Sequence, residues 1–213
     1  IGGLEDVTPN FNNLSKEGLL FTQIYATSET SETGHTSIFS GYPTLPKISM
    51  STESAKCRQM PSIIKGLDGY NAAYYFGGAL SYGNIGGYLR EIGFECIKDE
   101  NDLQDLTPKG DLGIHDEATL PFFYEEIKTA NRPFVYGLFT QSTHTPYDMD
   151  APYLEAYPNN DFVKSLHYAD MHIKRFTDSL KQLPDFDNTL VVFIADHGKT
   201  NFVNNNRYTD TYY

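Results

Sequence analysis

Four short runs of this chain carry apolar residues on both faces of a strand: 19–26 (LLFTQIYA), 70–76 (YNAAYYF), 133–140 (PFVYGLFT) and 189–195 (TLVVFIA). A strand without a polar face is one covered on both sides. Helical patterns lie between the runs. Thr8-Pro9 opens a first helix with Phe11, Leu14 and the Leu19-Leu20 pair as its stripe and Gly18 as its end. Short helices are expected over 36–40, 61–67 and 88–92, and longer amphipathic ones over 116–130 and 162–183. Leu120, Phe123 and Ile127 line the first long helix; Leu166, Ala169, Ile173, Phe176 and Leu180 line the second. Strand alternating with helix over 213 residues predicts an α/β domain whose mixed, largely parallel sheet is covered by helices.

In open sheets of that kind, sites form beyond the C-terminal ends of strands. Three such ends carry chemistry. The first run leads into a stretch rich in Ser, Thr and Glu, 27–33, closed by Gly34 and a short apolar helix before Gly41-Tyr42-Pro43 and Pro46. A hydroxyl at a helix mouth is well placed for a nucleophile, because the unpaired amides there favour an anion; a solvated polar loop is the plainer reading. The third run ends at His144 beside Pro146, either an acid–base group near neutral pH or an exposed loop histidine. The fourth ends in Asp196-His197-Gly198, a carboxylate and an imidazole that can share a divalent ion, or a helix cap next to a surface histidine. His167 and His172, five apart in the long helix, are expected to be ordinary, partly exposed helix residues.

Sixteen basic residues against 28 acidic ones give a net charge of -12, which argues against a nucleic-acid partner. Cys57 and Cys96 fit no metal motif; they could pair, but the expectation is two unbonded thiols near apolar segments. No run of about 18 apolar residues occurs. The chain begins at Ile1, and it is expected to be a piece of a longer protein.

The segments VTPNFNNLSKEGLLFTQIYA, GHTSIFSGYP, SIIKGLDGYNAAYYFGG, NIGGYLREIGF, GDLGIHDE, STHTPY and NTLVVFIADHG, in this order, resemble the lipoteichoic-acid-synthase-like and sulfatase-like branch of the alkaline phosphatase superfamily. Each motif is weak alone; seven in series cover nearly the whole chain. The resemblance implies an α/β/α sandwich around a mixed sheet. It implies transfer or hydrolysis of phosphate or sulfate esters at a divalent metal through a covalent intermediate. It also implies an extracytoplasmic catalytic domain, membrane-anchored through a segment absent from this chain.

Carried over by motif, Asp196 and His197 match the paired metal ligands of ADHG, and His144 matches the histidine of the HxPY strand end that contacts substrate or leaving group. The nucleophile, also a metal ligand, falls nine residues before Ser40, at Ser31; Thr30 and Thr33 are the near alternatives and Thr36 needs a different alignment. The resemblance places a further acidic ligand on a strand before Ile1 and more of the sheet after Tyr213, so residues 1–213 are expected to be one catalytic domain lacking its first strand and C-terminal part. Thr30 and Thr33 stand where relatives carry Arg or Lys. Ser31 is followed by Glu32-Thr33-Gly34-His35, not by the x-Pro-x-Arg that formylglycine maturation needs. The expectation is therefore a phosphoryl-group transferase acting on phosphoglycerol- or phosphoethanolamine-type diesters. Mn or Zn is favoured, with Mg or Ca possible; the expected partner is a phospholipid head group or a glycan or alcohol acceptor. The alternatives are a sulfatase or phosphodiesterase on the same fold, or a non-catalytic binding relative.

Overall fold

The computed structural model describes residues 6–44, 48–150 and 160–198. In chain order the elements are α1 (Pro9–Leu14), α2 (Ser31–Ser40), α3 (Ser54–Cys57), α4 (Ile63–Gly66), β1 (Asn71–Phe76), α5 (Ile85–Glu91), β2 (Cys96–Lys98), β3 (Lys109–Gly110), β4 (Gly113–Ile114), α6 (Asp116–Lys128), β5 (Phe134–Phe139) and α7 (Asp161–Leu180). The main sheet has the order β2-β1-β5, and β3 pairs antiparallel with β4. The architecture is α/β with a mixed, largely parallel sheet, the alkaline-phosphatase-like fold.

The chain separates into two compact units, Ile1–Thr22 with Tyr74–Ala79 and Lys98–Leu190, and Gln23–Ala73 with Leu80–Ile97 and Val191–Tyr213. In the first, Tyr74 and Tyr75 of β1, Leu120, Phe123 and Ile127 of α6, and Phe176 and Leu180 of α7 are buried. Phe123 stacks on Phe176 at 5.7 Å between centroids. Gly137 lets β5 lie against the Tyr74 ring, which an added Cβ would meet at 2.8 Å. Lys98 and the Tyr75 hydroxyl both reach Glu126, so the polar end of a buried tyrosine is satisfied. In the second unit, Ile85, Tyr88, Leu89 and Ile92 are almost fully buried, and Phe39 of α2 meets Phe94 edge-on at 5.3 Å.

Several sequence expectations need correction. Segments 19–26 and 189–195 are not strands: the described residues there carry no ladder, and Leu19 and Leu190 are 90% and 88% exposed. Apolar composition reports a preference for burial, whereas a strand also needs a neighbour along its edge. Helix α2 begins at Ser31 rather than at 36, because hydroxyls of the preceding loop bond to one another and to its first turn. α1 ends at Leu14, well before Gly18, and buries none of its residues. In α7, Leu166 and Ile173 are only half-buried, while His172 is buried. Between β2 and α6, where the sequence reading names no strand, the chain forms the β3–β4 hairpin. Both cysteines are free as expected; Cys57 is buried, but Cys96, at the start of edge strand β2, is exposed. Pro46 and residues 151–159 lie outside the described residues.

Candidate active site

Ser31 is the first helical residue of α2. Thr30 precedes it in extended conformation, with φ -140° and ψ 154°. The neighbouring hydroxyls are engaged with each other. Thr30 Oγ1 lies 2.9 Å from Thr33 Oγ1, Thr33 Oγ1 donates to the Thr30 carbonyl at 2.9 Å, and the Ser28 hydroxyl bonds to the Thr30 carbonyl and to Thr33. Ser31 is turned elsewhere: its Oγ lies 3.4 Å from His197 Nε2. His197 Nδ1 lies 2.9 Å from the Gly198 carbonyl. A carbonyl only accepts, so Nδ1 carries the proton and Nε2 presents its lone pair to the serine.

Asp196 completes this group. Its Oδ1 accepts the His197 N–H at 3.0 Å; its Oδ2 is buried without a hydrogen-bond partner among the described residues and lies 3.7 Å from His197 Nε2. The contact between α2 and Asp196 depends on Gly34, where an added Cβ would sit 2.4 Å from the Asp196 carbonyl oxygen.

His35 was not singled out by the sequence. It is 2% exposed, and its Nδ1 lies 2.7 Å from the Ser31 carbonyl, one helical turn back. Burial pushes its pKa down, while the Ser31 carbonyl and the Asp196 charge oppose that shift. The i,i+4 spacing from Ser31 was the signal available in the sequence. Thr36 is also buried, its hydroxyl donating to the Glu32 carbonyl, while its own carbonyl accepts from Tyr88 Oη.

His144 belongs to the other unit. It is exposed in the turn that follows β5, and its N–H donates to the Gln141 carbonyl at 2.8 Å. Its Nδ1 lies 2.7 Å from the Thr145 carbonyl, so Nδ1 carries a proton and Nε2 is the ring nitrogen turned away from that bond. His144 borders a small cleft with His115, Gln141, Ser142 and Asp148. The Asp111 N–H on Asp148 Oδ2 holds the Asp148 carboxyl below the usual range, with a smaller contribution from His115.

The family model described as Sulfatase matches residues 1–212. The chain belongs to the sulfatase family. Among curated relatives of this sulfatase-family chain, lipoteichoic acid synthase 1 of Bacillus subtilis is 26% identical over 214 residues, covering 91% of the chain and 33% of the relative. Phosphoglycerol transferase I of Citrobacter koseri is 24% identical over 219 residues, covering 90% and 28%. The chain spans about a third of the length of the curated relatives it matches. A solved protein of the alkaline phosphatase superfamily from Vibrio parahaemolyticus superimposes with a TM-score of 0.75 at 27% identity, covering 84% of this chain and 45% of that one.

The donors of this sulfatase-family chain suit a divalent cation. Asp196 Oδ2 is a buried carboxylate oxygen without a hydrogen-bond partner among the described residues, His197 Nε2 is a lone pair held in orientation by the Gly198 carbonyl, and Ser31 Oγ lies beside it. A ring nitrogen fixed in this way from the far side of the imidazole is the usual arrangement of a ligating histidine. Among the described residues, no three His, Cys, Asp or Glu side chains are grouped so that they could hold a metal ion. Ser31, Asp196 and His197 could supply only part of a ligand set. No helix of the described residues is long and apolar enough to cross a membrane.

Proposed function

We propose that this chain carries the core of a metal-dependent phosphoryl-group transferase acting on phosphate diesters of the phosphoglycerol or phosphoethanolamine type, with Ser31 as the covalent nucleophile. The observation that supports it is the meeting of Ser31 Oγ, the His197 Nε2 lone pair and an Asp196 carboxylate oxygen without a hydrogen-bond partner among the described residues, at the mouth of α2. Asp196, His197 and Ser31 would hold a divalent ion, Mn or Zn by the mixed oxygen and nitrogen donor set. Such an ion, when bound, neutralises anionic phosphate oxygens and lowers the pKa of the serine hydroxyl.

The chain's own residues do the rest. The amides of the first turn of α2 attract the phosphate. Ser31 Oγ attacks phosphorus, forming a new O–P bond as the bond to the donor alcohol breaks. His144, in its protonated form, gives that alcohol its proton. A second alcohol then attacks that phosphorus, its proton returning to His144 through solvent, and the bond from phosphorus to Ser31 Oγ breaks. The donor would be a phospholipid head group and the acceptor a glycan or other alcohol, on the extracytoplasmic face of a membrane to which the full protein would be anchored.

The test is intact mass analysis of the full-length protein with Mn²⁺ and a phosphodiester donor. A phosphoryl adduct should map to the peptide containing Ser31, disappear in Ser31→Ala and under chelation, and be discharged faster by glycerol than by water. Normal turnover in Ser31→Ala sinks the assignment of the nucleophile; discharge by water alone makes the protein a hydrolase.

A further inference from the structure

The turn that carries His144 is held at its base by one buried carboxylate. Asp116, the first residue of α6, is 1% exposed. Its Oδ1 accepts the Gln141 N–H at 3.0 Å and its Oδ2 the Ser142 N–H at 3.3 Å, while its own N–H donates to Ser142 Oγ at 2.9 Å. Gln141 passes this fixation on: its carbonyl accepts the His144 N–H at 2.8 Å, and its side-chain amide donates to the Ile114 carbonyl at 3.0 Å. The neighbouring residue grips the far end of the same turn, with His115 Nε2 3.2 Å from Asp148 Oδ1. Two consecutive residues thus hold both ends of 141–148, with His144 between them. Burying a carboxylate is expensive unless its bonds are made, and here the backbone donors it meets belong to that turn.

We propose that Asp116 is a positioning residue for the reaction, setting through Gln141 and Ser142 the placement of the His144 ring. This rests on the reading of His144 as the acid for the leaving alcohol. An alkyl alcohol needs that proton to depart; p-nitrophenolate does not. The test is Asp116→Asn in the full-length protein. Asn keeps the volume but turns an N–H group towards one of the two amides it should accept from. Turnover of a dialkyl diester such as glycerophosphoglycerol should fall about 10²-fold, the loss typical of a roughly 1 Å misplacement, while bis(p-nitrophenyl) phosphate changes by no more than about twofold. His144→Ala should show the same selectivity, and the double variant should be no worse than His144→Ala. Equal losses on both substrates, or losses that multiply in the double variant, overturn the proposal.

Nitrogen resonances of the His144 ring separate this proposal from the reading beneath it. Should His144→Ala prove insensitive to the leaving group, the acid role fails and the catalytic part of the proposal falls with it. Unmoved His144 resonances in Asp116→Asn overturn the positioning itself. If Asp116→Asn does not fold, Ser142→Ala removes one arm of the same clamp and is judged by the same substrate pair.

Discussion

Gly34→Ala is the sharpest perturbation of the candidate site. An alanine Cβ would stand 2.4 Å from the Asp196 carbonyl oxygen and 2.8 Å from the Asp196 carbonyl carbon and Cβ. Ordinary carbon contacts begin near 3.5 Å, so α2 and the Asp196 backbone must part by roughly 1 Å. The obstacle is backbone, which cannot rotate aside as a side chain can. Two effects compete in stability. Alanine in a helix gains about 1 kcal/mol over glycine, and overpacking costs about 1–3 kcal/mol. The net loss is up to about 2 kcal/mol, or a few degrees in Tm for a chain of this length. Function should suffer more, because the displacement falls on the distance between Ser31 Oγ and His197 Nε2, now 3.4 Å. Diester turnover in the presence of Mn²⁺ is expected to drop about 10²-fold, with far-ultraviolet circular dichroism unchanged. Native turnover together with an unchanged or raised Tm in Gly34→Ala would refute the claim that this close approach builds the site.

Ser31→Ala should abolish turnover with a Tm change of less than about 2 °C, since the side chain contributes little to packing; Thr36→Ala should lower Tm and leave turnover measurable, and the reverse pattern moves the nucleophile to Thr36. His172 has its pKa lowered from 6.5 to about 4, chiefly by burial and then by Arg175; Glu117 is 3.7 Å away without an accepted bond, and Tyr168 packs on the ring. The unfolded chain therefore binds the extra proton first, so stability present above pH 6.5 is lost as pH falls towards 4, by up to about 3 kcal/mol. His172→Gln should flatten urea-unfolding stability over that window, and an unchanged slope would exonerate the residue. Asp170 accepts from the Asn10 and Phe11 amides and from the Asn10 side chain, at 3.1, 2.7 and 2.8 Å. Asp170→Ala should cost about 2–3 kcal/mol, the range for bonds to a charged group, read as loss of Tm; a loss under about 0.5 kcal/mol contradicts that role.

The helices with a stripe of large apolar residues were legible in the sequence: Leu120, Phe123 and Ile127 of α6 are buried as the pattern required. Strands β1 and β5 were legible too, because YNAAYYF and PFVYGLFT combine β propensity with flanking turn residues. Segments 19–26 and 189–195 looked the same in one dimension, but a ladder is a property of two chains and not of one run. The start of α2 was missed because Ser and Thr count as helix breakers in isolation, yet here their hydroxyls bond to the helix mouth. Ser31 and Asp196-His197 were marked by motif. His35 and Asp116 were not, since a buried polar side chain is recognised only by the backbone it meets.

The clasp between Asp170 and the start of α1 joins residues 160 positions apart. During synthesis, α1 leaves the ribosome long before α7 exists. At 5–20 residues per second the wait is roughly ten to thirty seconds. Over that interval the Asn10 and Phe11 amides have only water, and Phe11 and Leu14 only each other or a chaperone. A six-residue helix is too short to persist alone. Helix α1 is therefore completed only after α7, and slowing translation between residues 15 and 160 should lengthen the life of a nascent chain in which the α1 segment is open to proteases and holdases.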